Sequence, residues 1–559
     1  MKAFPRLNLI ERGRERERSC RGISEMTERL QEISELFGTL FQTQEELEKP
    51  EVGVVTGEIP AWLRGTFIRV GPGKFDFQDN FTVNHWFDGY AILYKFDISE
   101  KNVQFHKKFL QSGVYQRALA AGKPVVTEFG TRAFPEPKKG WFSKLMSNIM
   151  PIEVTDNGFG AVYQIGSEVF AASDNSFFQG VDPGTLASLK KHDCNKLFGV
   201  NMICPHPLKD DNGDIINVGF SIGMGSKFNI IRIPGQTSKK ESSEELLKKS
   251  KVVCSFPTRW PTAMPFIHSF GLTKNYIVII EQPMATPIPS LATCVMKGQC
   301  YKDLSEWRQD SQNRFLIIDK VTGKFASKLE FQSKEAFFFW HMINCYEDEN
   351  NQVVIDVNAY PDASVLDTMM IQNLRQCILT ESTPSQPIRF VVPLPTGNDL
   401  PPENENLVTL KSEATAVRKG NLVTLTPEIL STEKGMELPA INRSFQSKKY
   451  DMFYGSSCFN ESVYTNAIGK ITPKKKETIF WKSSNFEFPG EPTFIPNPTS
   501  EAGEEDNGVL LSAVTDIRKD KDDYLLVLDA KDLKEIARAS FKARVPQGLH
   551  GCFVPNGSP

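Results

Sequence analysis

From Gly53 to the C-terminus the chain is written in short runs of β-branched and aromatic residues, each closed by Gly, Pro, Asn or Asp. The clearest are GTFIRV (65–70), YAILYKFDI (90–98), DIINVGFSI (214–222), FNIIRI (228–233), YIVIIEQP (276–283), RFLIIDK (314–320), NQVVIDVNAY (351–360), RFVVPLP (389–395), VLLSAVTDI (509–517) and DYLLVLDA (523–530). Strands this numerous, with few helical periods between them, predict an all-β fold. The polar stretches 235–251, 396–406 and 499–508 read as surface loops too short to separate domains, so 51–559 is expected to be a single catalytic domain. Residues 1–50 are expected to form an N-terminal helical, partly disordered extension, in which 23–48 carries apolar residues at helical spacing and predicts one or two short helices. No repeat of fixed period is visible, so the pattern permits a propeller without showing one.

Charge excludes one class of partner. With 65 basic against 68 acidic residues, the chain lacks the cationic surplus that grips nucleic acid. Its 40 phenylalanines, against 12 tyrosines and 7 tryptophans, serve an ordinary core or line a pocket for an apolar ligand. Ten scattered cysteines with no CxxC pair read as reduced thiols of a cytosolic protein. No apolar run reaches the ~18 residues of a membrane span. The N-terminus lacks a secretory core; its arginines (Arg6, Arg12, Arg14, Arg16, Arg18, Arg21) suit a mitochondrial presequence, but Glu11, Glu15 and Glu17 interrupt them. The cytoplasm is therefore the first expectation and the mitochondrion the second.

One stretch breaks the strand pattern. In GWFSKLMSNIM (140–150), Trp141, Phe142, Leu145, Met146, Ile149 and Met150 recur at helical spacing, beside Lys138, Lys139 and Lys144. Periodicity alone favours a core-facing helix; a basic amphipathic helix can also lie in a membrane interface.

The seven histidines have distinct settings. His206 (ICPHPL), His268 (PFIHSFGLT), His341 (FFFWHMINCYE) and His550 (QGLHGCFVP) stand at or near expected strand ends in apolar surroundings, where a neutral, metal-ligating imidazole is more natural than a charged one. Each taken singly is more often a hydrogen-bonded core histidine than a ligand, and no HxH or HExxH spacing joins them.

Eight motifs occur in order: HWFDG (85–89), VTDN (154–157), HSFGLT (268–273), HxxNxYED (341–348), ELPAIN (437–442), GEPTF (490–494), EEDNGVLLS (504–512) and LHG (549–551). Together they resemble the carotenoid cleavage oxygenase family over nearly the whole chain. The likeness is greater to its animal branch of β-carotene oxygenases and the retinoid isomerase of the retinal pigment epithelium. The resemblance implies a seven-bladed β-propeller with one Fe(II) on its axis, under a dome of loops and helices enclosing an apolar tunnel. It places the iron ligands on His206, His268, His341 and His550. It places the carboxylates that orient them on Glu437, Glu491 and Asp174. Asp174 stands where the family has glutamate; one methylene shorter, it calls for a shifted ring or a bridging water. His85 is then structural, and His106 and His192, in charged segments, are expected to be exposed.

Two further departures are Val70 in RVGPG, where the family has Asn, and Lys138 in FPEPKKG (134–140), where the animal branch often has cysteine. Thioester anchoring at that position is thereby lost. The resemblance nonetheless makes a peripheral membrane contact the preferred reading of 140–150. The implied reaction adds O2, the co-substrate, across one double bond of a polyene to give aldehydes or ketones. The alternatives are isomerohydrolysis of a retinyl ester at the same centre, or a carotenoid-binding propeller that has lost its iron.

Overall fold

The computed structural model describes residues 32–556, apart from 101, 137–152, 239–240, 379–382, 396–399, 460–463 and 502. The expected membrane stretch, with Trp141, Phe142, Leu145, Met146 and Ile149, and the arginine-rich N-terminus lie outside the described residues.

Each of the ten predicted runs falls on a strand, from Gly65–Lys74 to Asp523–Asp529. Hairpin connections make almost all pairings antiparallel; Glu330–Ser333 with Leu422–Thr426 is parallel. Among the described residues, seven sheets have four or more strands, and a three-stranded sheet (Ala263–Pro265, Met284–Pro287, Glu306–Trp307) stands beside them.

Packing shows how the sheets are arranged, because each major core cluster draws on two of them. Ile68 and Ala91 of the first sheet pack with Val162 and Val169 of the second. Phe170 of the second meets Ile231 of the third, and Ile230 of the third meets Ile279 of the fourth. Val278 then packs with Ile355, Ile343 with Phe453, and Tyr454 with Leu526. Finally Leu525 of the last sheet packs with Phe96 of the first. The ring is closed twice by hydrogen bonding: Gly551–Pro555 pairs with Gly65–Lys74, and Val54–Gly57 pairs with Glu535–Phe541.

Residues 32–37 are helical and run into the 3-10 turn Gly38–Phe41. Phe37, Leu40 and Phe41 are buried against Trp86, Ile371 and Phe488. Residues 42–48 carry no helix. The predicted loop 235–251 contains a helix, Ser243–Lys249, opened by a capping box between Ser242 and Glu245. Two other expectations fail. His106 and His192 are buried, not exposed, because each ring is held by a partner inside the fold. His106 Nε2 bonds to Leu47 O at 3.0 Å, and His192 stacks on Phe178.

Candidate metal centre

The ring of sheets brings the four singled-out histidines to one point. His206 lies between Met202–Ile203 and Leu208–Lys209, and His268 precedes Gly271–Leu272. His341 lies on Phe338–Glu347, and His550 precedes Gly551–Pro555. All four strand settings are edges of four different sheets. The pairing of Phe338–Glu347 is irregular between Phe339 and Met342, the kind of bulge that re-aims a side chain.

The carboxylates come from the other three large sheets. Asp174 sits in the hairpin after Glu168–Ala172, Glu437 on the edge strand Met436–Ala440, and Glu491 just after Glu487–Pro489. Asp174 Oδ2 lies 2.8 Å from His268 Nδ1, Glu437 Oε2 2.7 Å from His341 Nδ1, and Glu491 Oε1 2.6 Å from His550 Nδ1. Asp174 thus reaches its ring directly, so of the two expectations, a shifted ring or a bridging water, the bridge is not needed. His206 has no carboxylate partner among the described residues.

These contacts decide the chemistry of the inner nitrogens. A carboxylate facing Nδ1 makes Nδ1–H the donor and leaves Nε2 as a bare lone pair. Yet His206 Nε2 lies 3.0 Å from His268 Nε2, and His341 Nε2 lies 3.0 Å from His550 Nε2. All four ligand nitrogens fall within 4.8 Å of one another. The lone pairs of His341 and His550, both fixed by Nδ1–carboxylate bonds, repel at this distance unless a cation lies between them. Metal–nitrogen bonds of about 2.1 Å put adjacent ligands about 3.0 Å apart, so the group fits a single ion. Burial pushes His341 down to about 4 against the pull of Glu437. Burial, then the three neighbouring imidazoles, drives His206 well below the ordinary range. Both rings are neutral at pH 7, as ligands must be.

Several supporting residues carried no sequence signal. Arg69, fully buried on Gly65–Lys74, donates from Nη1 to Glu491 O at 2.9 Å and lies 3.4 Å from Glu491 Oε2. Its Nη2 also donates to Leu549 O, so one guanidinium fixes both Glu491 and the residue before His550. Burial alone would raise Glu491, but His550, Arg69 and Arg443 outweigh it and hold the carboxyl below its usual range. Ser269 Oγ donates to Trp340 O and accepts from Met342 N, joining the segments of His268 and His341. Leu438, at φ 51°, donates its N–H to Glu437 Oε2. A left-handed leucine is strained, and here the strain accompanies the aiming of that carboxylate. His85, by contrast, caps the 3-10 turn Trp86–Asp88 and bonds to Leu366 O, a structural role.

On one side of the four rings opens a cavity of about 1840 Å³, walled in part by Phe87, Phe129, Phe159, Phe266 and Trp340. Ordinary ligand pockets are about 300–1,000 Å³, so this one is unusually large. His268, His341 and His550 line it. A second cavity of about 140 Å³, with Tyr163, Asn344 and Arg443 in its wall, touches His206, His341 and His550 from the other side.

Comparison with known proteins agrees with this geometry. The family described as "Retinal pigment epithelial membrane protein" (RPE65) matches residues 40–555. The mitochondrial carotenoid-cleaving dioxygenase of Mustela putorius furo is 36% identical over 532 residues, covering 92% of this chain and 96% of that protein. The β,β-carotene 15,15′-dioxygenase of Gallus gallus is also 36% identical, covering 92% and 98%. A Synechocystis apocarotenoid oxygenase variant with one glutamate changed to aspartate superposes with a TM-score of 0.74 over 94% of this chain and 98% of that one, at 20% identity. Profile, relatives and architecture converge: the chain belongs to the RPE65 family of carotenoid oxygenases.

Proposed function

We propose that this protein is an Fe(II)-dependent dioxygenase that cleaves a double bond of a carotenoid or apocarotenoid with O2, giving aldehyde or ketone products. The observation that carries this reading is four inward-facing imidazole nitrogens at the wall of a large aromatic cavity. The relatives named as carotenoid dioxygenases support the substrate class. In this reading the seven sheets are propeller blades, residues 51–559 one domain, and one iron per chain sits on the axis.

His206, His268, His341 and His550 would hold the ion, with Asp174, Glu437 and Glu491 fixing three of the rings. When bound, Fe(II) supplies the electron-transfer chemistry that lets dioxygen add across the polyene; both oxygen atoms end in the two carbonyl groups, so no external reductant is consumed. The chain's own part is positional. Ring orientation comes from the Nδ1–carboxylate bonds, and the aromatic walls exclude water and hold the polyene so that one double bond lies at the centre. Four neutral donors leave the dication's charge uncompensated, unlike a site containing a ligating carboxylate.

No helix among the described residues is long and apolar enough to cross a membrane. Delivery of a water-insoluble polyene is assigned to peripheral membrane contact through 140–150, with the chain in the cytoplasm or, as for one relative's name, the mitochondrion. Incubation of anaerobically purified, iron-loaded protein with β-carotene, followed by chromatography and oxygen-electrode recording, tests the proposal. Aldehyde products with matching O2 uptake are expected. Turnover of a retinyl ester without O2 would replace it with isomerohydrolysis, and polyene binding without turnover or iron would replace it with a carrier.

A further inference from the structure

The cavity wall is not uniformly apolar. Glu128 lines it although the residue is only 1% exposed. Its Oε1 accepts from Thr155 Oγ1 at 2.9 Å, and Oε2 makes no hydrogen bond among the described residues. Tyr301 lines the same cavity. The backbone bond from Lys302 N to Phe129 O, 2.8 Å, pins the short helix Tyr301–Leu304 against the Glu128–Phe129 segment. A path of rings connects this spot to the metal centre. His268 contacts Trp340 at 5.3 Å, Trp340 contacts Phe87 at 5.4 Å, and Phe87 contacts Phe129 at 6.0 Å.

A buried carboxyl facing an apolar cavity is costly unless it is neutral and has something to bond. No basic side chain among the described residues offsets it. Burial first, and the nearby Asp88 second, push Glu128 well above the carboxylate range, which favours the neutral acid, a form able to donate. Burial also raises Tyr301 far above neutrality, keeping its hydroxyl intact. An acid O–H and a phenol O–H therefore stand in the cavity wall, three ring contacts from the centre.

We propose that Glu128 and Tyr301 form a polar docking point for a hydroxyl or carbonyl oxygen carried on one end of the polyene, and so set the preference for oxygenated over plain hydrocarbon ends. This rests on the polyene reading above. A hydrocarbon end offers these groups nothing and leaves them unpaired, whereas an oxygenated end satisfies them.

The test compares β-carotene with its 3,3′-dihydroxy analogue, in identical detergent micelles, on iron-loaded protein. Two readouts are taken: kcat and KM, and anaerobic Kd from quenching of tryptophan fluorescence. In Glu128→Leu and Tyr301→Phe, the preference for the dihydroxy analogue should fall about five- to ten-fold, the worth of one neutral hydrogen bond. The fall should appear in KM and Kd rather than in kcat. Glu128→Gln, which keeps a donor and an acceptor in place, should retain the preference. If Glu128→Leu does not fold, Tyr301→Phe and Glu128→Gln carry the test. An unchanged ratio in Glu128→Leu and Tyr301→Phe, a lost preference in Glu128→Gln, or an equal loss for both polyenes overturns the proposal by making Glu128 a scaffold residue. Because Kd is read without turnover, the two ideas fail separately. A protein that binds polyenes but does not cleave them would refute the proposed function, while the Kd ratio still decides whether Glu128 and Tyr301 select oxygenated ends.

Discussion

Asp174, Glu437 and Glu491 hold their rings in different company. Their side chains are 30%, 14% and 11% exposed, and their bonds to histidine lengthen in the order Glu491, Glu437, Asp174. Water competes best where exposure is greatest, so the Asp174 contact is the weakest of the three. Replacing Glu491 or Glu437 by Ala should lower metal affinity about 10–100-fold, with Asp174→Ala nearer the lower end. Titration with Fe(II) under anaerobic conditions measures this; equal losses would contradict the ranking. His268→Ala should abolish metal binding and activity together, and retained activity would refute the centre. Arg69→Met strands Glu491 without its buried partner and should cost about 3–5 kcal/mol of stability, read by chemical denaturation. The three carboxylates are legible through the family resemblance, but the support behind them is not visible in the sequence. Arg69 lies in an ordinary strand, and its role appears only when Glu491 and Leu549, more than 400 residues later, pack against it.

Elements are legible in the sequence where a local rule acts alone. Alternation and turn residues mark the ten strands, since both signals are written within a few residues. The helix Ser243–Lys249 hides in a polar run that reads as loop, although Ser242 and Glu245 already spell its capping box. The burial of His106 and His192 is hidden by their charged neighbours, which suggest exposure, whereas the partners that hold the rings, Leu47 and Phe178, are named only by the tertiary fold. Among the connecting elements, the segment Phe37–Thr43 is clamped by Arg375, which donates to Phe41 O and pairs with Asp76 at 2.7 Å. Burial pushes Asp76 up, but Arg375, Thr43 and Thr82 hold it at about 2, below the ordinary 3.8. A carboxyl lowered in the folded state stabilises fully above the unfolded value and loses that contribution as pH falls through the folded one. Hydrogen exchange in 37–44 should therefore quicken between pH 4 and 2; constant protection there would show that the clamp is not ionic. For 140–150, changing Trp141, Phe142 and Met146 to Ser should reduce liposome association with iron content unchanged, and undiminished binding would assign the stretch to the core.

At the scale of the molecule, the centre exists because the sheets close on themselves. Four sheets each bring one histidine and three bring one carboxylate, so every large sheet has a stake in a single point. That convergence is invisible to spacing: the ligand pairs at 3.0 Å are 62 and 209 residues apart in the chain. Ordered motifs name the ligands, but only closure explains why they meet. Removing 551–559 takes away the strand beside His550 and one of the two closures of the ring. It should cost both cooperative melting and metal, whereas cooperative melting with full metal content would show the closure to be dispensable. The whole account converges on the fate of dioxygen. Turnover of β-carotene under ¹⁸O2, with the aldehydes trapped before exchange with water and analysed by mass spectrometry, follows it directly. The expected result is one labelled oxygen in each of the two carbonyl products. Products formed without O2, or carrying oxygen from water alone, would contradict an iron-dependent dioxygenase.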